Sequence, residues 1–206
     1  MIEDIRGDIG TARPMSRLVQ GDVGSGKAVV AAAAMFLAAQ SGTQAAIMAP
    51  TEILAEQHFK NLGTLFEKVN AQGVPCPLNV RLLTGSTSQA EREIILAEIA
   101  DGHANLIVGT HALIQESVSF SDLALAVIDE QHRFGVAQRA MLRQKGRVAN
   151  PHVLVMTATP IPRTLALTLY GDLDLSVIDQ MPPGRQPIET RIVLPTERER
   201  AYSFVR

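Results

Sequence analysis

Short apolar runs alternate along this chain with stretches in which apolar residues recur every third or fourth position. The runs predict buried strands at 17–20, 45–49, 79–83, 106–108, 123–128, 153–156 and 175–178, since a strand covered on both faces reads as continuous apolar sequence. The intervening periodicity predicts helices. An Ala-rich helix covers 26–40, and Ser41-Gly42 supplies its stop. Thr51 is a fitting N-cap with Glu52 in the first turn. From there Leu54, His58, Leu62, Leu65 and Val69 mark one helical stripe. Ser88 to Glu91 has the form of a capping box, opening a helix that reaches Ala100. A brief helix follows His111, and two more are predicted at 136–145 and 163–170. Strand and helix therefore alternate throughout. That order implies an α/β fold, with a mostly parallel sheet and helices on both faces.

The two ends depart from the alternation. Residues 1–14 read as a helix end plus a linker, left from a preceding segment. Met181-Pro182-Pro183-Gly184 is linker-like. Residues 189–194 then read as one more strand, so 181–206 is expected to be a linker and the start of a further domain, with 15–180 as the main one.

Composition narrows the class without naming a function. The 206 residues suit one large domain; 46% are hydrophobic and 19% charged, and there is no Trp. The net charge of −2 provides no overall basic field, so any nucleic-acid contact has to be local. The one cysteine, Cys76, cannot form an internal disulfide, which fits a reducing compartment. The apolar run at 28–39 is shorter than the ~20 residues that cross a bilayer. No membrane association is expected, and a cytoplasmic location is.

Chemistry-bearing residues stand just after the predicted strands, where open parallel sheets bind ligands. Gly21-Asp22-Val23-Gly24-Ser25-Gly26-Lys27-Ala28 reads G-x-x-x-x-G-K between a strand and a helix, the setting of a phosphate-binding loop. Its glycines admit close backbone approach, its N–H groups and helix end attract an anion, and Lys27 adds a positive charge. Ala28 stands where such loops carry Ser or Thr. Asp129 and Glu130 end a strongly apolar strand, placed for Mg²⁺ and for an attacking water; the alternative, that they merely cap the next turn, loses ground beside the phosphate loop. Gln131 and His132 suit a hydrogen-bonded relay with Thr157 and Thr159, or are loop residues and strand-end hydroxyls.

The stretches GDVGSGK, APTEILAEQH, VGTHALIQE, VIDEQHRFGVAQR, VMTATPIPRTLALTLYGDLDLSVID and MPPGRQPIETR together resemble the first motor lobe of superfamily 2 DNA helicases of the RecG family. The resemblance covers nearly everything from Met15 onward. It implies a RecA-like P-loop NTPase domain with ATP and Mg²⁺ as cofactors. Gly21, Asp22, Val23, Gly24, Ser25, Gly26, Lys27 and Ala28 would hold ATP, with Lys27, Asp129, Glu130, Gln131 and His132 catalytic and Asp129 on the metal. Thr157 and Thr159 would couple hydrolysis to movement. Pro50, Thr51, Gly85, Thr110 and His111 fall in segments that touch one DNA strand in that family, through phosphate and sugar. In that family Thr stands at the position of Ala28, its hydroxyl on Mg²⁺, so impaired Mg·ATP use with an intact fold is expected. The family's wedge domain and second motor lobe, with its arginine finger, are not recognisable here, and the fragment is expected to hydrolyse ATP negligibly. The parent function implied is remodelling of stalled forks and Holliday junctions in recombination and repair. The alternatives are a nucleotide-binding switch without hydrolysis and the motor lobe of a transcription-repair coupling factor, which usually has Glu in place of Gln131.

Overall fold

Seven strands form one sheet in a computed structural model of the chain, which describes residues 1–11, 13–73, 78–130, 142, 145, 150–159, 173–180 and 192–205. They are β1 (Ser16–Gly21), β2 (Gln44–Met48), β3 (Val80–Leu83), β4 (Leu106–Gly109), β5 (Leu123–Ile128), β6 (His152–Thr157) and β7 (Asp174–Ile178). Their order across the sheet is β3-β4-β2-β5-β6-β1-β7. Every pairing among them is parallel. The expected RecA-like α/β fold is therefore present, with strand positions displaced by at most a residue or two.

Alternation along each strand divides the core between two faces. Val19, Ala45, Ile47, Leu106, Val108, Leu125, Val127, Leu154 and Met156 point to one face. There they meet the helices α2 (Lys27–Gln40) and α3 (Glu52–Ala71). Their neighbours Leu18, Ala46, Met48, Ile107, Ala126, Ile128, Val153 and Val155 point to the other. That face is covered by α4 (Gln89–Ala100), by the short 3₁₀ helix His111–Ile114 and by Leu142. The small side chains of α2 let it sit close to the sheet, and Phe36 of α2 stacks on Phe66 of α3 with ring centroids 6.1 Å apart.

Local chemistry sets the helix ends. Thr51 Oγ1 accepts from the N–H of Leu54, and Ser88 Oγ from that of Glu91, satisfying donors that the first turn cannot use. The stripe on α3 is rotated from the expected one: Ala55, Leu62 and Phe66 are its buried members.

Three features differ from the sequence reading. First, residues 2–9 form a helix, α1 (Ile2–Ile9), that packs on α2 and buries Ile5 in the core. Asp8 of α1 accepts from Arg17 of β1, whose guanidinium also donates to Ser176 of β7. Second, Gln44 is a buried polar residue at the start of β2. Its amide donates to the carbonyls of Ile99 and Ala104 and accepts from the N–H of Asp122. Third, of the strand expected at 189–194, residues 189–191 lie outside the described residues and 192–194 are exposed and irregular, and the chain turns through Pro195–Glu197 into α5 (Arg198–Val205). Strand character at Ile192-Val193-Leu194 is propensity alone, and a strand is stabilised by cross-strand partners. The predicted helices at 136–145 and 163–170 and the linker at 181–184 lie largely or wholly outside the described residues, as does Cys76. No described helix is long and apolar enough to cross a membrane.

Candidate nucleotide and nucleic-acid site

Gly21 ends β1, and the chain turns through Asp22 to Gly26 into α2. Gly24 and Gly26 have φ of 82° and 96°, left-handed values that disfavour any Cβ. A Cβ on Gly21 would lie 2.6 Å from Ser25 Oγ and 3.0 Å from Ile178 Cβ, so the loop closes tightly only over glycine. The N–H of Ser25 donates to the Asp22 carbonyl, and that of Val23 to the Asp22 carboxylate. Lys27 Nζ donates to the carbonyls of Gly21 and Asp22, at 2.7 and 2.8 Å. Among the described residues no side chain caps α2, and its first turn holds no acidic residue. The positive end of the helix is thus left open toward the loop. Ser25 Oγ is buried and has no hydrogen-bond partner among the described residues. A concave backbone turn, an uncapped helix end, an orphaned hydroxyl and a lysine on the same rim suit a phosphate chain.

The sheet order sorts the remaining candidates. The carboxyl ends of β5, β6 and β1 are neighbours, and they carry Asp129 and Glu130, Thr157 and Thr159, and the phosphate loop. Thr157 lies in register with Gln20, one residue before Gly21. Its hydroxyl, nearly fully buried, accepts from the N–H of Thr159. Glu130 has φ of 51°, a left-handed conformation uncommon outside glycine. Such residues cluster at functional sites because the surrounding structure must hold them there. Gln131 and His132 lie outside the described residues.

The ends of β3, β4 and β2 form the other half of the edge, carrying Gly85, Thr110-His111 and Pro50-Thr51. These segments are tied together. The carboxylate of Glu52 accepts from the N–H of Ser86 at 3.1 Å, joining the turn after β3 to the start of α3. Thr84 shares contacts with the hydroxyls of Ser86 and Thr87. His111 is exposed, whereas Thr110 is buried, its hydroxyl without a partner among the described residues. All five predicted contact residues therefore share one continuous half of the edge, apart from the phosphate loop.

His58 is the functional candidate that sequence reasoning passed over. Its Nε2 lies 2.7 Å from Asp129 Oδ2, and each side chain is only 13% exposed. Ala28 and His58 also line a single cleft of about 360 Å³ between α2 and α3. His58 thus links the cleft at the start of the phosphate-loop helix to the Asp129 carboxylate through one hydrogen bond. Asp129 and the phosphate oxygens, completed by water, form an adequate donor set for Mg²⁺, which is commonly held by one or two carboxylates and substrate phosphates. Ala28 adds no oxygen to that set.

The family model for DEAD/DEAH box helicases matches residues 9–168. The chain belongs to the DEAD/DEAH box helicase family. It is similar throughout to the ATP-dependent DNA helicase RecG of Synechocystis sp., 56% identical over 206 residues, which is all of this chain and 24% of that protein. RecG of Streptococcus pneumoniae is 57% identical over 190 residues, 92% of this chain and 27% of the relative. The chain therefore spans about a quarter of the length of these curated relatives. A solved structure of RecG bound to a three-way DNA junction is 44% identical, with a TM-score of 0.81 over 98% of this chain and 26% of that one. The Pyrococcus furiosus Hef helicase domain shares the fold, at 24% identity and a TM-score of 0.61 over 86% of this chain and 38% of that one.

Proposed function

We propose that this chain is the ATP-binding motor lobe of a cytoplasmic DNA helicase or translocase that remodels branched DNA, stalled forks and Holliday junctions, in recombination and repair. One observation carries the reading. The phosphate loop and Asp129 occupy one half of the sheet edge in a chain similar over 98% of its length to RecG bound to a three-way DNA junction. Mg·ATP, when bound, supplies the transferable phosphoryl group and the metal charge that screens it.

The chain's own residues do the rest. Gly21 to Ala28 wrap the phosphates with backbone N–H groups. Lys27, now on the carbonyls of Gly21 and Asp22, would meet the phosphate oxygens, its charge countering theirs. Asp129 would hold Mg²⁺, more loosely than with a hydroxyl at residue 28 to share the task. Glu130, Gln131 and His132 orient the attacking water and report on it, and Thr157 and Thr159 pass the change along the edge. Pro50, Thr51, Gly85, Thr110 and His111 engage one DNA strand through phosphate and sugar. A wedge domain and a second motor lobe complete the motor. Arginine supplied by that second lobe accounts for a rate factor of roughly 10³ or more.

The test is hydrolysis and junction unwinding by a chain extended to the length of its relatives. Branched DNA is expected to stimulate ATP hydrolysis, with Lys27→Ala removing both activities. The 206-residue chain alone is expected to bind ATP without sustained turnover. Unwinding that survives Lys27→Ala, or hydrolysis indifferent to DNA, would overturn the proposal.

A further inference from the structure

We infer that His58 is the positioning residue for Asp129, setting which oxygen of that carboxylate a divalent cation meets. The inference rests on the nucleotide-site reading above and adds a residue to it. An ionised carboxylate can only accept hydrogen bonds, so at 2.7 Å it is the ring that donates, through Nε2–H, to Asp129 Oδ2. That bond claims one carboxylate oxygen and leaves the other for the metal. Carboxylate rotation about its terminal bond is otherwise soft, with broad, two-fold preferences. The main chain of Asp129 is already fixed, because its N–H donates to the Met48 carbonyl of β2 at 3.0 Å. The side chain needs a second hold, and His58 provides it from across the cleft.

The anchor is rigid at its other end as well. His58 lies on a 20-residue helix held by the buried Ala55, Leu62 and Phe66 on either side of it in sequence. With both side chains mostly out of solvent, water competes poorly for the bond. Positioning matters more here than in a site with two protein oxygens on the metal, because Ala28 offers none. Partners of metal ligands typically account for 10- to 100-fold in metal affinity.

The experiment uses the 206-residue chain with ADP and Mn²⁺ as the probe. Free Mn²⁺ is followed by electron paramagnetic resonance, and ADP affinity is measured separately in EDTA. His58→Ala is expected to weaken Mn²⁺ binding to the ADP complex about tenfold. ADP affinity in EDTA should stay unchanged. His58→Gln keeps an N–H donor at similar reach and is expected to restore most of the loss. Thermal melting of each variant separates loss of fold from loss of position, and His58→Gln carries the test alone if His58→Ala does not fold: a Mn²⁺ affinity within threefold of the parent supports the inference. Mn²⁺ affinity that is unchanged or tighter in a folded His58→Ala, or a folded His58→Gln that falls about tenfold short of the parent, overturns it. Failure of the parent chain to bind ADP at all, with or without metal, would instead sink the nucleotide-site reading.

Discussion

At the scale of single residues, two positions have opposite consequences for a small addition. Gly109 ends β4, and a Cβ there would lie 2.3 Å from the backbone carbonyl oxygen of Leu83 and 2.8 Å from Leu113 Cγ. A backbone atom on the neighbouring strand cannot rotate aside. Gly109→Ala should therefore destabilise the fold by about 1–3 kcal/mol, read as a lower urea midpoint. Ala28 is different. It is exposed at the first turn of α2, beside the cleft that His58 lines, so a longer side chain has room. With Mg²⁺ held as proposed, Ala28→Thr would add a hydroxyl ligand and should tighten Mg·ATP binding while leaving affinity in EDTA unchanged. Equal Mg·ATP affinity for the two proteins would show that residue 28 is irrelevant to the metal.

At the scale of elements, what the sequence disclosed depended on how local the cause was. The central strands β2, β4, β5 and β6 were readable because burial on both faces makes each an apolar run, and the outer ones because shorter apolar stretches stand between turn signals. The phosphate loop was readable because its whole geometry is written into eight consecutive residues. His58 was not, since it sits at an ordinary place in a helical stripe, and its partner is 71 residues away. Gln44 was hidden in the same way, as its three backbone partners come from α4, the loop after it and the approach to β5. The signal for α1 was present, with Met1, Ile5 and Ile9 at four-residue spacing, but neighbouring glycines and charges obscured it. The join between β1 and β6 has its own titratable group. His152 Nδ1 accepts from the N–H of Met15 at 2.9 Å, and burial pushes the ring below its usual 6.5, against the opposing pull of Asp8. The folded state therefore binds this proton less readily than the unfolded chain. Its contribution is complete above pH 6.5 and is lost as the pH falls from there through the folded value. The urea midpoint should drop across that window, and His152→Gln should flatten the drop even though it lowers stability overall.

At the scale of the whole molecule, the first helix belongs to the body it precedes. Ile5 is buried against α2, and Asp8 grips Arg17, which also holds Ser176 on the edge strand β7. Removing residues 1–10 uncovers one side of α2 and breaks that chain of contacts. Loss of the Ile5 side chain's burial alone is worth about 1.5–3 kcal/mol. That is a large part of the 5–15 kcal/mol typical of a folded domain. The shortened chain should melt several degrees lower, and calorimetry at equal concentration would measure the shift.

The strand order also sets a timetable. β1 is made more than a hundred residues before either of its partners, β6 and β7. At ~5–20 residues per second, β1 waits on the order of ten seconds with both edges unpaired. Strands β2 to β5 can assemble among themselves in that interval, so the half of the edge proposed to meet DNA takes shape first. The phosphate loop acquires its final shape only when β6 and β7 close on β1. Nucleotide therefore cannot stabilise this sheet until β7 has been made, and the exposed flanks of β1 are where a nascent chain is most open to wrong pairing.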